Sequence, residues 1–228
     1  MKLIFIHGSG GCREAWQYQT AAFENADAVN LPGHPEGKLL SSIEGYVDWL
    51  KDYITEQGYS ELVLAGHSMG GAVALQYALT YPEDLRAIVT IGSGGRLRVH
   101  PEFLDHLEKS IQEPGTYEAA MLPMFDHIDP ELRRIISDRT LENGPEAGFN
   151  DMRACDHFDI MDRLGEIRIP VLALCGDADN MTPPKYSQFM AEKIPDCQVE
   201  IIPGGSHMVF AEKPEAVNQA IRKFLDRL

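Results

Sequence analysis

The sequence has no long apolar run. Leu3–Ile6 is four residues long and ends at His7, far short of a signal core or of the roughly 20 residues that span a bilayer. Positive charge is also sparse. The 20 Lys and Arg face 35 Asp and Glu, a net charge of −15, which argues against nucleic acid and anionic membrane as partners, since both need a basic surface. Cysteine is rare, and Cys12, Cys155, Cys175 and Cys197 show no paired spacing. They are expected as reduced thiols in a cytoplasmic protein. Cofactor motifs are missing too. Gly8-x-Gly10 meets Arg13 where a dinucleotide loop has its third glycine. No Lys-Ser or Lys-Thr follows a glycine loop, and no histidine pair has metal-ligand spacing. The expectation is an enzyme without cofactor or metal.

What is present is an alternation of short apolar runs and helical patterns over 228 residues, enough for one α/β domain with an insertion. Strands are expected at Lys2–Ile6, Ala26–Leu31, Leu62–Ala65, Ala87–Ile91, Pro170–Cys175 and Gln198–Ile202. Ser41-x-x-Glu44 reads as a capping box. Behind it Ile43, Tyr46, Val47, Leu50, Tyr53 and Ile54 recur on one helical face. A final helix over about 215–228 turns Val217, Ala220, Ile221, Phe224, Leu225 and Leu228 inward. This order predicts a doubly wound, mainly parallel sheet of about six strands, with its site at the carboxyl ends of the strands. Residues 96–169 contain no convincing strand. Helical patterns at Glu102–Gln112, Thr116–Phe125 and Pro130–Leu141 are punctuated by Pro114-Gly115, Asn143-Gly144-Pro145 and Gly148. So long a stretch is too much for a loop, and it reads as a helical cap between two core segments, 1–95 and 170–228.

The chemistry centres on Leu62-Val-Leu-Ala-Gly66-His-Ser68-Met-Gly70-Gly71. An apolar strand turns into a helix through Gly-x-Ser-x-Gly, which lifts Ser68 clear of the sheet, and the two glycines leave room where backbones pass too close for a Cβ. A serine hydroxyl is a weak nucleophile and needs a base, best a histidine held by a carboxylate. Two strand ends supply these groups: Gly176-Asp177-Ala-Asp179-Asn-Met-Thr-Pro183, and Gly204-Gly205-Ser206-His207-Met208. Asp177 and Asp179 compete for the role of acid. Met69 N–H and an amide of the first glycine loop, Ser9 first and Gly10 next, are the expected oxyanion donors. His34 reads as a turn residue and His67 as wedged beside the elbow. Cys12 lies near the site and reads as a packing residue.

These pieces together resemble the α/β-hydrolase superfamily over almost the full chain. His7-Gly8 with Trp16 is similar to its oxyanion loop, Leu31-Pro32-Gly33-His34 to the next turn, and Gly66–Gly71 to its nucleophile elbow. Gly176-x-x-Asp179-x-x-x-Pro183 resembles the acid loop, and Ser206-His207 with Glu212-x-Pro214 the histidine loop. The resemblance selects Asp179 as the acid and makes Asp177 a turn residue. Two departures stand out: the family's leading antiparallel hairpin is missing, and Asn30 replaces a frequent aspartate. The implied activity is that of a serine esterase or lactonase with Ser68 as nucleophile, His207 as base and Asp179 as orienting acid. Met208, Phe210, Phe125 and Met124 are candidate substrate contacts, suited to an apolar acyl or alcohol group. The expected partner is a small ester or lactone, and the expected state a monomer or homodimer. The same triad would also serve a thioesterase or a carbon–carbon bond hydrolase, for which Arg96, Arg98 or Arg153 would hold a carboxylate. A slow-turnover ligand receptor is the reading from another class.

Overall fold

Strand β1 (Lys2–Ile6) lies inside a six-stranded sheet because its residues are apolar on both faces. A computed structural model describes residues 1–228, except for the side chain of Pro114. The other strands are β2 (Ala26–Val29), β3 (Leu62–His67), β4 (Leu85–Ile91), β5 (Val171–Gly176) and β6 (Cys197–Ile202). Their order is β2-β1-β3-β4-β5-β6 and every pairing is parallel, as the alternation predicts. The chain builds outward from β1 to β2, then crosses back and builds the other way from β3. Between β1 and β3 lies the switch point where sheets of this kind open a crevice.

Side chains alternate between two apolar layers. Ile4, Ile6, Leu62, Leu64 and Ile88 face one side. There they meet α2 (Ile43–Gln57) and α3 (Met69–Thr80). Leu3, Phe5, Val63, Ala65 and Val89 face the other, under Trp16 and α9 (Pro214–Leu225). The capping residue of α2 is one position later than expected. Ser42, not Ser41, accepts from Gly45 N at 3.1 Å, with its own backbone extended at φ −150° and ψ 157°.

Between β4 and β5 the chain forms α4 (Pro101–Ser110), α5 (Pro114–Met121) and α6 (Pro130–His157). Helix α6 is two helices end to end. Gly144 takes φ 80°, which breaks the first, and Pro145 restarts the second, a position where its missing N–H has no cost. Gly148, expected as a break, sits inside the second half. A Cβ there would lie 2.7 Å from the Tyr117 ring, so it is a packing glycine. The neck closes where Arg96 bridges Asp159 and Ile160 N donates to Gly95 O. Past the neck, Leu164 and Ile167 pack in the main core, as do Ala154, Cys155 and Phe158 before it. Among the described residues no helix is long and apolar enough to cross a membrane.

Candidate active site

The turn after β3 is the most strained point of the site. Ser68 has φ 51° and ψ −115°, a region that costs a non-glycine residue about 1–3 kcal/mol. The surroundings force it. Ser68 N donates to Ile91 O at 2.9 Å, Gly71 N to Ser68 O at 2.9 Å, and Ser93 Oγ to the same carbonyl at 2.8 Å. A Cβ on Gly66 would stand 2.0 Å from Gly70 O, and one on Gly70 would stand 2.3 Å from Ile6 O. The two glycines are therefore steric requirements of the elbow.

His207 follows β6 through Gly204, whose φ is 67°. Asp177 accepts from Gly204 N at 2.7 Å, Glu212 accepts from Ser206 N at 2.7 Å, and Ser206 Oγ also donates to Glu212. With its loop held, His207 donates from Nδ1 to Asp179 Oδ2 at 2.9 Å. Asp179 is buried and accepts three further bonds, from Met181 N at 2.8 Å, Thr182 N at 2.9 Å and Thr182 Oγ1 at 2.8 Å. Burial alone would raise its pKa. The hydrogen bond and charge of His207, with the Thr182 donors, outweigh it and hold the carboxyl well below its usual range. With Nδ1 on Asp179, Nε2 is the ring nitrogen of His207 left without a partner among the described residues. Thr182 has no counterpart in the sequence reading, although its place three residues after Asp179 fits a turn that ties off the carboxylate.

Two other histidines brace the site in neutral form. Burial lowers both His7 and His67 to a pKa of about 3. His67 Nε2 donates to His207 O at 3.0 Å, and its ring packs 4.7 Å from His207 and 4.8 Å from Phe210. His7 Nδ1 donates to Gly8 O at 2.8 Å, and its Nε2 accepts from Leu31 N at 3.0 Å. That bond ties the end of β1 to the turn after β2. In the same turn Asn30 Oδ1 accepts from Arg13 N at 2.8 Å.

Ser68 and His207 open onto a cleft of about 490 Å³, counted out to its open mouth. Ser9, Met124, Phe125, Met208 and Phe210 line it, as do His7, Ile136 and Met152. All four residues proposed from sequence as substrate contacts thus face the cleft, although Phe210 is also stacked on Trp16 at 4.1 Å. Of the two first-loop amides, Gly10 must be corrected. Its N–H donates to Asp151 Oδ2 at 2.9 Å and points at the cap instead of the cleft. Among the described residues the N–H groups of Ser9 and Met69 have no partner. Cys12 lines the cleft but is buried, which pushes its thiol up to about 12. Arg98 borders an outer lobe with Ser68 and His207, and shares Asp159 with Arg96 at 3.6 and 3.7 Å. Arg153 lies 5.6 Å over the Phe149 ring, away from both lobes.

A family model described as "Alpha/beta hydrolase family" matches residues 3–220. The chain belongs to the α/β-hydrolase family. Several relatives of this hydrolase align end to end with it. It is 27% identical to "(E)-2-((N-methylformamido)methylene)succinate hydrolase" of Acinetobacter baylyi, over 98% of this chain and 90% of the relative. It is 23% identical to "Pimeloyl-[acyl-carrier protein] methyl ester esterase" of Yersinia enterocolitica, over 97% and 92%. Among solved structures, a thermophilic esterase superposes with a TM-score of 0.87 at 33% identity, over 99% of this chain and 90% of that one.

Proposed function

We propose that the protein hydrolyses small carboxylic esters or lactones through an acyl-enzyme. Ser68 Oγ attacks the carbonyl carbon while His207 Nε2 takes its proton. The amides of Met69 and Ser9 stabilise the oxyanion. His207 then passes the proton to the leaving alkoxide, and water deacylates Ser68 by the same route. The observation that carries this reading is the bond at 2.9 Å from His207 to buried Asp179, on the same cleft as a strained elbow serine. The names of the thermophilic esterase and the methyl ester esterase support ester chemistry. The apolar cleft wall of Met124, Phe125, Ile136, Met208 and Phe210 suits an acyl or alcohol group without charge.

A carbon–carbon bond or thioester substrate on the same triad is the second reading. Arg98 on the outer lobe favours it, although Asp159 already pairs with that guanidinium. Initial rates on p-nitrophenyl esters from acetate to decanoate, with Ser68→Ala alongside, test the proposal. Turnover is expected to vanish in the variant and to fall with long chains. Ester turnover that survives Ser68→Ala would refute it. A wild type active only on thioesters or dienoic acids would move the assignment to the second reading.

A further inference from the structure

Helix α6 carries an aspartate that the chemistry above does not use and that the sequence gives no reason to single out. Asp151 is fully buried, and its two oxygens accept three bonds from three different parts of the core. Tyr46 Oη on α2 donates to Oδ1 at 2.6 Å. His34 Nε2 in the turn after β2 donates to Oδ2 at 2.8 Å, and Gly10 N in the loop after β1 donates to the same oxygen at 2.9 Å. His34 Nδ1 faces the carbonyls of Leu31 and Pro32, each at 3.2 Å. Both ring nitrogens therefore point at acceptors, which only the imidazolium satisfies. The buried cluster is a charge pair with its remaining valences filled, the condition under which such a pair is tolerated.

The cap holds the same loop a second time. Asn143 Nδ2, just before the Gly144 break, donates to Gly10 O at 3.0 Å and Gly11 O at 2.8 Å. Gly10 itself takes φ 62°. The peptide groups on either side of Gly10 are thus fixed by side chains of the cap, one through its N–H and the other through its carbonyl. Within Ser9–Gly11 the Ser9 N–H is the one donor without a partner among the described residues, on a residue that lines the cleft with Ser68. A backbone donor stabilises an oxyanion to the extent that it is already aimed before charge develops.

We infer that Asp151 and Asn143 are positioning residues that lock the Ser9–Gly11 loop, so that cap docking and assembly of the oxyanion hole are one event. The inference rests on the acyl-enzyme reading of Ser68. Removing the acceptor in Asp151→Ala frees Gly10 N–H, and Asn143→Ala frees the two carbonyls. Asp151→Asn can keep an oxygen on Gly10 N–H and turn its amide toward Tyr46.

The test is steady-state kinetics of the full chain on a short p-nitrophenyl ester. It is paired with inhibition by a trifluoromethyl ketone, which adds to Ser68 as an oxyanion, and by its methyl ketone counterpart, which binds as a neutral ketone. Asp151→Ala and Asn143→Ala are expected to lower kcat by about ten- to a hundredfold, up to the loss of one oxyanion donor, with KM within about threefold. Their affinity for the trifluoromethyl ketone should fall in parallel while that for the methyl ketone holds. Asp151→Asn should recover most of kcat. If Asp151→Ala does not fold, Asn143→Ala carries the test, because its site is partly solvent-exposed. Folded variants with wild-type kcat, or with both ketones weakened alike, would overturn the inference. A wild type without Ser68-dependent turnover would overturn the hydrolase reading and this inference with it. The two failures are distinct, since the second is seen before any cap variant is made.

Discussion

Acid should unfold this protein through two histidines to which the proposed chemistry gives no step. His7 and His67 are buried and neutral, each with a pKa of about 3 in the folded state against 6.5 as the ordinary value. Above pH 6.5 both states leave them neutral, and they contribute nothing to the pH dependence. Below it the unfolded chain takes up a proton that the folded ring refuses, so stability falls as pH falls. A full pKa unit is worth about 1.4 kcal/mol. One and a half units below 6.5, at pH 5, each ring should therefore weaken the fold by about 2 kcal/mol, and the pair by about 4 kcal/mol. That is a large share of a stability of about 5–15 kcal/mol. His34 offsets only part of it. Burial would lower its pKa, but Asp151 raises it, so its contribution is complete below 6.5 and lost only as pH rises through the folded pKa. Asp179, held below its usual range, contributes at lower pH still. Urea unfolding followed by Trp16 and Trp49 fluorescence at pH 7.0, 6.0, 5.5 and 5.0 measures the slope. His67→Gln should remove about half of it. A free energy that moves by less than about 1 kcal/mol between pH 7 and 5, or a slope unchanged in His67→Gln, would refute the assignment.

Asp179→Asn should lower kcat on the order of ten-thousandfold with KM little changed, because the amide has one acceptor oxygen, and with that oxygen on the Met181 and Thr182 N–H groups its NH2 faces His207 and favours the wrong histidine tautomer. Asp177→Asn, at a carboxylate that accepts from Gly204 N and is absent from the proposed chemistry, should stay within about tenfold of wild type, and steady-state kinetics on one ester separates the two. Thiol titration of the native protein at pH 8 should find no fast-reacting cysteine, since all four thiols are pushed up by burial. A fast thiol that disappears in Cys12→Ala would place Cys12 in solvent and refute its packing role.

The parts of this protein legible in its sequence are those fixed by neighbours along the chain. Leu3–Ile6 and Leu62–Ala65 read as buried strands because a parallel sheet is covered on both faces and leaves no polar alternation. Ser68 reads as a nucleophile because its glycines, strand and helix lie within a few residues. Asp151 is the opposite case. An aspartate on a helix normally faces water, and nothing within ten residues marks this one as buried. Its partners His34 and Tyr46 lie 117 and 105 positions away. The assignment of Gly10 to the oxyanion hole failed for the same reason, because the acceptor of its amide is 141 residues distant. The break at Gly144 was legible, but the restart at Pro145 was not, since proline ends a helix and begins one with equal ease.

The sheet explains how Asp179 and His207 come to lie beside Ser68 at all. β1 and β3 pair directly, with Ile6 opposite Gly66, so the Ser9 loop and the elbow are neighbours by topology. The histidine comes from β6, at the far edge and three strands from β3. Its loop must lean back across the ends of β5 and β4. Asp179 after β5 meets it on the way, which makes the Asp179–His207 pair a bridge along the sheet edge. The bridge crosses β4 where that strand ends in Gly92, in the left-handed region at φ 55°. A Cβ there would stand 3.2 Å from Asp179 Oδ2 and 3.3 Å from His207 Nδ1, tighter than such contacts normally allow. Gly92 is therefore the clearance under the bridge. A side chain at the end of β4 would push the pair outward, away from the one strand end that carries the serine.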